Sequence, residues 1–509
     1  ASVYGLIVCP LYETLGPNAL EYCLTHTETS IVIVSKSLIK RLLNLSKKLP
    51  FLKAIISLDS FENSAYKSLF LEASQKNIFL YEFTQIEKFG RQHFREHIPP
   101  QPDDLFIIMY TSGTTDVPKG VMISHGNFVA TLCLPFDFPE VSPGSRSISY
   151  LPLVHMYGLK FEFSSIMRGM SIGYFSGDQN RLFEDVQVLQ PISFPGVPRI
   201  FNKLYKSIKA VTVDATGEEG EIARQLYQKK LEHFKKTGEL KYEEWDKFAE
   251  KKIGKILGAN IKRLFSSSAP LSEDVTEFLR IALGVIFDRG YAQTESTGTG
   301  TRVLVGDLLT SHVGAPAPCI EIKLVDVPSL DYYSTDKPNP RGEICFRGAT
   351  IMKGYFKDEK RTREVIDEEG WLHTGDVGEF DDRGCLKIIT RVKHIFKLAQ
   401  GEYIAPEKVE NIYLKNLLIS QIFIHGDEFQ SFLVAIIIPN KINFIPWANE
   451  IVGDLDYETL AGNKVIINEL LKHLNEHGKN NGLKGFEQVK AIHLDTVPFS
   501  VENGLLTQT

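Results

Sequence analysis

The chain has 509 residues and a formal net charge of −6 at pH 7, with 43% hydrophobic and 24% charged residues. This length predicts at least two domains, and the composition is ordinary for a globular protein. The negative charge argues against a nucleic-acid-binding protein, which would present a basic face. The six cysteines form no C-x-x-C pair and no H-E-x-x-H motif occurs, so we expect neither a disulfide framework nor a protein-held transition metal.

Short apolar runs alternate with amphipathic stretches over the first two-thirds of the chain. The opening run, ASVYGLIVCPLY, predicts a buried strand already under way, so we expect the natural N-terminus to be missing. The apolar spacing predicts helices for NALEYCLTHT and SLIKRLLNLSKKL. It predicts strands for AIISL, LFIIMY and SISYLPL. This alternation predicts layered α/β structure with largely parallel sheets. No uncharged apolar run reaches the ~18 residues that a membrane span needs.

The run YTSGTTDVPKG, at residues 110–120, predicts a phosphate-binding loop. Gly113 and Gly120 allow an anion to approach backbone N–H groups closely, and Lys119 adds a positive charge. Four hydroxyl side chains add hydrogen-bond donors: Thr111, Ser112, Thr114 and Thr115. The loop is not a Walker A motif, because a glycine follows the lysine. A hydrophilic turn without a ligand is the alternative interpretation.

Two further parts of the chain differ from this alternating pattern. Residues from Glu218 to Leu257 are highly charged and predict a solvated helical hairpin, which we favour over a binding surface. The last segment, of about 115 residues, is long enough for a small separate α+β domain.

Four further stretches carry chemistry-bearing residues: SSSAPLS (266–272), FDRGYAQTEST (287–297), GWLHTGDVGEFDDRGCLKIITRVKHIFKLAQGEYIAPEKVE (370–410) and the closing FSVENGLLTQT. Together with the 110–120 loop, these motifs resemble, in the same order, those of the long-chain fatty acyl-CoA synthetases of the adenylate-forming superfamily. The resemblance extends along the whole chain. KLAQGEYIAPEKVE resembles the fatty-acid branch, which disfavours the alternative of an enzyme that adenylates aryl or short acids.

The resemblance implies a fold and a domain organisation. A large AMP-binding domain, residues 1–389, would contain layered α/β sheets and a small β-barrel-like part. A hinge at 390–393 and a small, mobile α+β C-terminal domain at 394–509 would follow. Both ends are expected to be truncated relative to the family, in which an N-terminal segment often carries a membrane anchor. Membrane association is therefore expected, on the cytosolic face of the endoplasmic reticulum, the mitochondrial outer membrane or the peroxisome.

The resemblance also implies the reaction. Long-chain fatty acids would react with ATP to give acyl-AMP and pyrophosphate, and coenzyme A would then displace AMP, with Mg²⁺ as the metal ion. The 110–120 loop would hold the β- and γ-phosphates, with Lys119 as its cation. Thr114 and Glu295 would position Mg²⁺. A surface salt bridge is the alternative role for Glu295.

The remaining roles concern the nucleotide, the acyl group and CoA. Asp376 in the TGD motif would accept hydrogen bonds from both ribose hydroxyls, and Arg391 would reach the ribose or a phosphate. Tyr291 would stack on adenine, and His155 in PLVHMYG would lie near the adenylate carbonyl. Further contacts are implied for these residues: Gly290, Thr294, the loop Ser268, Ala269 and Pro270, and Gly401 beside the CoA arm. The alternative roles are a packing position in the core for Tyr291, a simple turn for the TGD motif and a structural role for His155.

Three positions depart from the family pattern. Asp116 stands where the family's T-S-G-T-T-G-x-P-K-G loop has glycine, and Thr390 stands where an aspartate precedes Arg391. Gln508 stands where the family has proline, and the given sequence stops at Thr509, so no residue in it can be assigned the role of the family's C-terminal lysine. A like-charge contact at ~4 Å would cost ~4 kcal/mol, so we expect weakened ATP affinity with Asp116 turned to solvent. A catalytically impaired pseudoenzyme that binds nucleotide or acyl-adenylate as a scaffold is the alternative function.

Overall fold

The computed structural model describes residues 2–11, 18–61, 67–111, 117–133, 141–258, 260–304, 306–392, 396–399, 402–426, 429–500 and 503–506. These residues fall into two compact units. The first unit comprises the described residues of 2–126 and 353–359, and the second comprises those of 127–352 and 360–506. Each unit contains hydrophobic clusters of its own residues, so each is described by itself.

The α-helices among the described residues are α1 (Ala19–His26), α2 (Lys36–Leu45), α3 (Lys67–Gln75), α4 (Phe83–Gln92), α5 (His125–Leu132), α6 (Met156–Met167), α7 (Leu182–Leu189), α8 (Pro198–Val211), α9 (Gly217–Thr237), α10 (Glu243–Leu257), α11 (Glu273–Leu283), α12 (Glu359–Val365), α13 (Pro406–Tyr413), α14 (Lys441–Val452), α15 (Tyr457–Gly462) and α16 (Lys464–Asn480).

The β-strands among the described residues are β1 (Ile31–Val34), β2 (Ala54–Ser57), β3 (Phe79–Glu82), β4 (Leu105–Thr111), β5 (Lys119–Ser124), β6 (Arg146–Ser149), β7 (Ser171–Tyr174), β8 (Ser193–Gly196), β9 (Arg263–Ser266), β10 (Ile286–Arg289), β11 (Thr301–Arg302), β12 (Ala315–Pro316), β13 (Ile320–Val325), β14 (Arg341–Gly348), β15 (Gly354–Tyr355), β16 (Leu372–Phe380), β17 (Leu386–Arg391), β18 (Phe396–Lys397), β19 (Tyr403–Ile404), β20 (Ile419–His425), β21 (Leu433–Pro439) and β22 (Val489–Leu494).

The first unit contains a parallel sheet, β1-β2-β3, and an antiparallel sheet, β15-β5-β4. Helix α2 buries Ile39, Leu42 and Leu43, which recur at the spacing of one helical face. They form a hydrophobic cluster with Ile55 of β2 and Leu80 of β3. The amphipathic pattern of the sequence thus specifies which face of α2 covers the parallel sheet.

The second unit is built around a five-stranded parallel sheet of order β10-β9-β8-β6-β7. Parallel strands require crossover connections, and helices α6, α7, α8 and α11 follow strands in that alternation. Phe194 of β8, Phe201 of α8 and Phe287 of β10 are fully buried in the core of this sheet. The α/β fold class and the parallel sheets predicted from the sequence are confirmed.

A four-stranded antiparallel sheet, β13-β14-β16-β17, also belongs to the second unit. The resemblance predicts a barrel-like part, and this sheet is open, since β13 and β17 form its two edges among the described residues. Strand β16 carries the TGD motif, and its Asp376 lies directly opposite Arg391 of β17. The sheet register therefore brings together two residues that are 15 positions apart in the chain.

The C-terminal part of the second unit has a hydrophobic cluster drawn from residues 398–494. Strand β21 pairs antiparallel with β20 and parallel with β22, and helices α13, α14 and α16 cover the cluster with residues such as Tyr413, Phe444 and Leu470. This is an α+β arrangement, as predicted for the last segment. The hinge at 390–393 and the domain limits around it stay a prediction.

The prediction of a buried strand at the start of the chain is wrong. Residues 3–8 are exposed, and Ser2–Tyr4 forms a short 3₁₀ helix. Val8 makes an isolated parallel bridge to Ile107 of β4, with hydrogen bonds to the neighbouring Phe106 and Ile108 of 3.2 and 2.9 Å. One bridge position is too little pairing to form a strand, although the apolar composition favours one.

The predicted helical hairpin is formed by α9 and α10, and it is less solvated than expected. Trp245 of α10 is fully buried, and its indole N–H donates to the Ala282 carbonyl at 2.8 Å. Lys230 of α9 is also fully buried, and its ammonium lies 2.6 Å from Asp246 of α10. Among the described residues, every helix is too short or too polar for a membrane crossing.

Candidate functional site

Asp376 lies at the centre of a polar cluster in the second unit. It follows Gly375, whose positive φ of 71° suits a residue without Cβ, and it is 4% exposed. Its Oδ2 accepts hydrogen bonds from the Tyr291 hydroxyl at 2.6 Å and the Gln293 amide at 2.8 Å. Its Oδ1 accepts from Arg391 Nε at 2.7 Å. The predicted residues Tyr291, Asp376 and Arg391 are therefore brought together.

These contacts shift the pKa values of two side chains, Tyr291 and Arg391. Burial, followed by the neighbouring Asp376 carboxylate, raises the pKa of Tyr291 well above its ordinary value. The hydrogen bond to Asp376 raises the pKa of Arg391, and Glu295 contributes in the same direction. At neutral pH the cluster thus holds a neutral phenol and a guanidinium against one carboxylate.

The hydrogen-bonding capacity of Asp376 limits how ribose can bind. A carboxylate offers about four acceptor positions, two on each oxygen. Tyr291 and Gln293 occupy those of Oδ2, whereas Arg391 occupies one position of Oδ1. One ribose hydroxyl can therefore bond to Oδ1 directly. Accepting both hydroxyls, as the resemblance implies, requires one of the present donors to move.

The TGD turn rests on a second carboxylate, Glu343 of β14. Gly375 N–H donates to Glu343 Oε1 at 3.0 Å, and His373 Nδ1 lies 2.9 Å from Oε2. The Thr374 hydroxyl donates to the Ile344 carbonyl at 2.7 Å. Three consecutive residues before Asp376 are thus tied to one strand, so the carboxylate of Asp376 is held by its backbone as well as by its donors.

Two clusters in the described part of the chain bring histidine, cysteine and carboxylate ligand atoms within 4.8 Å of one another. The first consists of Glu343, Cys345 and His373. Burial raises the pKa of Cys345 to about 12, so its sulfur is a protonated thiol in the metal-free chain. Glu343 is already engaged by Gly375, as described above. The geometry favours a role in supporting the TGD turn.

The second such cluster consists of Asp307, His312 and Cys385. Gly314 N–H donates to His312 Nδ1 at 3.0 Å, which leaves the ring proton on Nε2. That nitrogen lies 3.2 Å from Asp307 Oδ2 and cannot offer a lone pair to a metal ion in this tautomer. A guanidinium also lies 3.2 Å from Asp307, that of Arg383. These contacts favour a structural polar cluster.

Tyr291 is positioned by the end of β10. Gly290 must be glycine here, because a Cβ at this position would lie 2.6 Å from the Thr301 carbonyl oxygen. Tyr291 N–H donates to Thr301 Oγ1 at 3.2 Å, and its ring centroid lies 5.5 Å from that of Phe346. The predicted adenine-side loop, Ser268, Ala269 and Pro270, is exposed after β9.

Glu295 and Thr294 lie in a short 3₁₀ helix, Thr294–Ser296. The carbonyl of Glu295 accepts from Met352 N–H at 2.9 Å, and its carboxylate is half-buried and close enough to raise the pKa of Arg391. A half-buried carboxylate oxygen suits a hard cation such as Mg²⁺. Glu295 therefore fits the predicted metal role, whereas Thr114 lies outside the described residues.

His155 is the N-cap residue of α6. Burial lowers its pKa, so its imidazole is neutral at neutral pH and can hydrogen-bond without carrying charge. The first turns of α6 after His155 contribute Tyr157 and Lys160 to the wall of a cavity of about 590 Å³. Gly290 and Tyr291 line the same cavity, which therefore adjoins the Asp376 cluster.

The first unit contains the ends of the predicted phosphate loop. In the β4–β5 pair, Thr111 lies opposite Lys119 and Tyr110 opposite Gly120. Lys119 Nζ lies 5.1 Å from the ring centroid of Tyr355. The loop is thus a connection between two paired antiparallel strands, a geometry that brings its two ends together. Six predicted positions lie outside the described residues: Ser112, Gly113, Thr114, Thr115, Asp116 and Gly401.

Thr390, the first residue of the predicted hinge, is buried, at 6% exposure. Its hydroxyl has no hydrogen-bond partner among the described residues. The family's aspartate at this place would be ionised, so the hydroxyl is a far less costly group to bury there.

Sequence reasoning missed three residues that the structure places at the site: Gln293, Glu343 and Lys160. Gln293 stands inside the quoted FDRGYAQTEST motif, and an amide so close to a proposed nucleotide residue was a usable signal. Glu343 lies 33 positions before Asp376, so nothing local links it to the TGD turn. Lys160 stands between two apolar residues of α6, Leu159 and Phe161, which was the available signal for a lining role.

Comparisons with known proteins agree with this geometry. The sequence model of the AMP-binding enzyme family matches residues 1–356. Long-chain-fatty-acid–CoA ligase 6 of Homo sapiens is 41% identical over 516 residues, covering 99% of this chain and 72% of the human protein. The peroxisomal long chain acyl-CoA synthetase 7 of Arabidopsis thaliana is 38% identical over 514 residues, covering 100% of this chain and 72% of the plant protein.

Solved structures show the same fold. The adenylation domain of a carboxylate reductase from Mycobacterium chelonae superposes with a TM-score of 0.77 at 26% identity, covering 98% of this chain and 73% of that domain. An anthranilate CoA ligase in complex with anthranoyl-AMP shares the fold, with a TM-score of 0.69 at 17% identity, covering 98% of this chain and 81% of that one. This chain belongs to the AMP-binding enzyme family and, within it, to the long-chain-fatty-acid–CoA ligases.

Proposed function

We propose that this chain activates long-chain fatty acids with ATP and transfers them to coenzyme A. The observation that carries the proposal is the Asp376 cluster, in which a nearly buried carboxylate is held by Tyr291, Gln293 and Arg391 beside a cavity. It lies in a chain that is 41% identical to a ligase of this specificity. No observation in the described residues favours a scaffold without turnover.

The reaction has two steps. A carboxylate oxygen of the fatty acid attacks the α-phosphorus of ATP, which forms acyl-AMP and releases pyrophosphate. The sulfur of CoA then attacks the acyl carbon and loses its proton, and AMP leaves. Because the first step joins two anions, the site must offer cations and hydrogen-bond donors to the developing charge.

Residues of the second unit bind the adenosine and acyl parts. Asp376 accepts a ribose hydroxyl on Oδ1, and Arg391 orients that carboxylate while its remaining N–H groups face the ribose or phosphate. The ring of Tyr291 stacks on adenine, opposite the Ser268–Pro270 loop. His155, neutral because of burial, lies beside the acyl carbonyl.

The phosphates and the metal ion require further groups. Lys119 and the 110–120 loop hold the β- and γ-phosphates. Gly120 supports the loop by packing, since a Cβ there would lie 3.0 Å from the Ile108 side chain. Glu295 and Thr114 would hold Mg²⁺, which would neutralise phosphate charge when bound. Rotation about 390–393 then brings the Gly401 loop to the pantetheine arm. Support for these roles comes from motif resemblance and, for Glu295, from its half-buried carboxylate.

The test measures all three products of the reaction. The purified chain is given hexadecanoic acid, ATP, Mg²⁺ and CoA, and acyl-CoA, AMP and pyrophosphate are quantified by mass spectrometry. The proposal expects the three products in equal amounts, each requiring every substrate. ATP binding without product from the folded chain would favour the scaffold alternative instead.

The location also remains a proposal. Two relatives from Arabidopsis thaliana are named as peroxisomal. We propose that this chain acts at the cytosolic face of an organelle membrane, because its substrates partition into bilayers. We expect the full natural chain to co-sediment with membrane fractions and to stay bound to them in high salt.

A further inference from the structure

Lys160 connects helix α6 to the segment that carries Glu295. It is partly buried and lines the cavity beside Tyr291. Its Nζ donates to the Gly298 carbonyl at 2.7 Å and to Thr299 Oγ1 at 2.8 Å. Both acceptors follow Glu295 closely in the chain. One side chain of α6 therefore holds the end of the short segment to which the proposed magnesium ligand belongs.

Residues 293–299 are joined by their own backbone hydrogen bonds. Three successive N–H groups donate to carbonyls earlier in this segment: Thr297 to Thr294 at 2.9 Å, Gly298 to Gln293 at 2.9 Å and Thr299 to Ser296 at 3.1 Å. These bonds couple the end that Lys160 holds to Glu295. They also couple it to Gln293, whose amide donates to Asp376.

Gly298 allows this segment to approach α6 closely. Its φ is 65°, in the left-handed region that favours glycine, and a Cβ there would lie 2.8 Å from Met156 Cγ. Met156 and Lys160 are one helical turn apart on the same face of α6. The Gly298 carbonyl therefore comes within hydrogen-bonding distance of the Lys160 ammonium because this position has no side chain.

The charge of Lys160 is held by neutral oxygens. Among the described residues, no carboxylate pairs with its ammonium, and its acceptors are a carbonyl and a hydroxyl. Burial lowers the pKa of Lys160 to about 7, with Cys319 opposing this shift and Arg302 adding to it. A cation in such a place is costly unless its hydrogen bonds are made, and such groups are concentrated at functional sites.

We propose that Lys160 is a positioning residue for fatty-acid activation, which holds residues 293–299 so that Glu295 stays where Mg²⁺ and the phosphates of ATP meet. The inference rests on the proposed function, because it takes Glu295 as a magnesium ligand. Contact with the acyl chain is the competing role, since Lys160 lines the cavity. Positioning controls the requirement for Mg²⁺, whereas acyl contact controls the KM for the fatty acid.

The kinetic test uses Lys160→Met, which removes the ammonium and keeps much of the side-chain volume. Pyrophosphate release gives the half-saturating free Mg²⁺ concentration and the KM for hexadecanoic acid. We expect the first to rise ~10-fold, because charge-assisted hydrogen bonds are lost, and the second to change less than ~3-fold.

Three further variants sharpen this test. Thr299→Val removes one acceptor of Lys160 and should also raise the Mg²⁺ requirement, whereas Thr299→Ser keeps the hydroxyl and should restore the parental value. Lys206→Met, at an exposed lysine of α8, is the matched control. A Lys160→Met protein with a raised KM for hexadecanoic acid and an unchanged Mg²⁺ requirement overturns the positioning role.

A second measurement needs no turnover. Hydrogen–deuterium exchange of the free chain is measured in peptides that cover residues 293–299. Lys160→Met should speed exchange of the amides in this segment ~10-fold, and Lys206→Met should not. Unchanged exchange in the Lys160→Met protein overturns the inference and leaves the ligase function intact. A parent chain that binds ATP but forms no product contradicts the ligase function, and the positioning role with it.

Discussion

Asp376 is the residue on which the nucleotide site depends most directly. It is a nearly buried carboxylate with three donors, and its charge stabilises the guanidinium of Arg391. Charge-assisted hydrogen bonds contribute more than neutral ones, and their loss is felt most where water is excluded. The carboxylate therefore orients Tyr291 and Arg391 before any nucleotide binds.

Asp376→Asn is predicted to weaken AMP binding roughly 10- to 100-fold, because hydrogen bonds to charged groups contribute ~1.5–3 kcal/mol. Isothermal calorimetry measures the change, and the melting temperature shows whether the variant is folded. Asp382→Asn, at an exposed aspartate of the same β16–β17 turn, is the matched control. A folded Asp376→Asn protein with unchanged AMP affinity would show that the cluster does not bind ribose.

Thr390→Val is predicted to leave the free energy of unfolding unchanged or to raise it by about 1 kcal/mol. Valine keeps the shape of threonine and removes a buried hydroxyl that has no partner among the described residues. Chemical denaturation measures the change. Thr212→Val is the control, because that hydroxyl is also buried but donates to the Ile208 carbonyl at 2.6 Å. Equal destabilisation of both variants would contradict the account of Thr390.

The sequence motifs identified Asp376 and Tyr291, but they did not identify the residues that position these two side chains. TGD and GYAQTE are compact motifs, so Asp376 and Tyr291 could be selected from the sequence. Gln293 and Glu343 act through a side-chain geometry that the strand register creates. That register also supplies the Asp376–Arg391 contact, which no local pattern encodes.

At the scale of elements, the α9–α10 hairpin contains an ion pair that burial makes important. Lys230 is fully buried, whereas Asp246 keeps 36% of its side-chain exposure. Asp246 also accepts from the Tyr242 N–H at 2.9 Å, at the start of α10. Charge composition predicted the two helices but could not reveal which lysine turns inward, since neighbouring lysines look alike in the sequence.

Asp246→Ala is predicted to destabilise the protein by about 3 kcal/mol, near the lower end for a broken buried pair, because Asp246 is partly exposed. Denaturant unfolding, monitored by circular dichroism, measures the change in the free energy of unfolding. Glu244→Ala is the control on the same helix: Glu244 lies 3.9 Å from Lys229 with both side chains about 60% exposed, so a loss below ~1 kcal/mol is expected. Similar losses for the two variants would mean that burial of Lys230 is not decisive.

At the scale of the whole molecule, the alternation of apolar runs and amphipathic stretches was sufficient to predict parallel sheets. It was insufficient for the opening segment, where residues 3–8 have an apolar composition but a single bridge to β4. Composition sets a preference for burial, and only tertiary pairing decides whether a strand forms. The cavity beside Tyr291 could not be predicted either, because the elements that line it, α6, β9, β10 and β11, are distant in the chain.

The central claim is that the second unit holds an adenylate site next to an acyl cavity. Its most direct test is calorimetric binding of acyl-sulfamoyl-adenosines, stable mimics of the adenylate. The folded chain should bind them, with affinity rising from ~8 to ~18 carbons as methylenes are buried at ~0.8 kcal/mol each. A folded chain that binds none of these compounds would contradict the account.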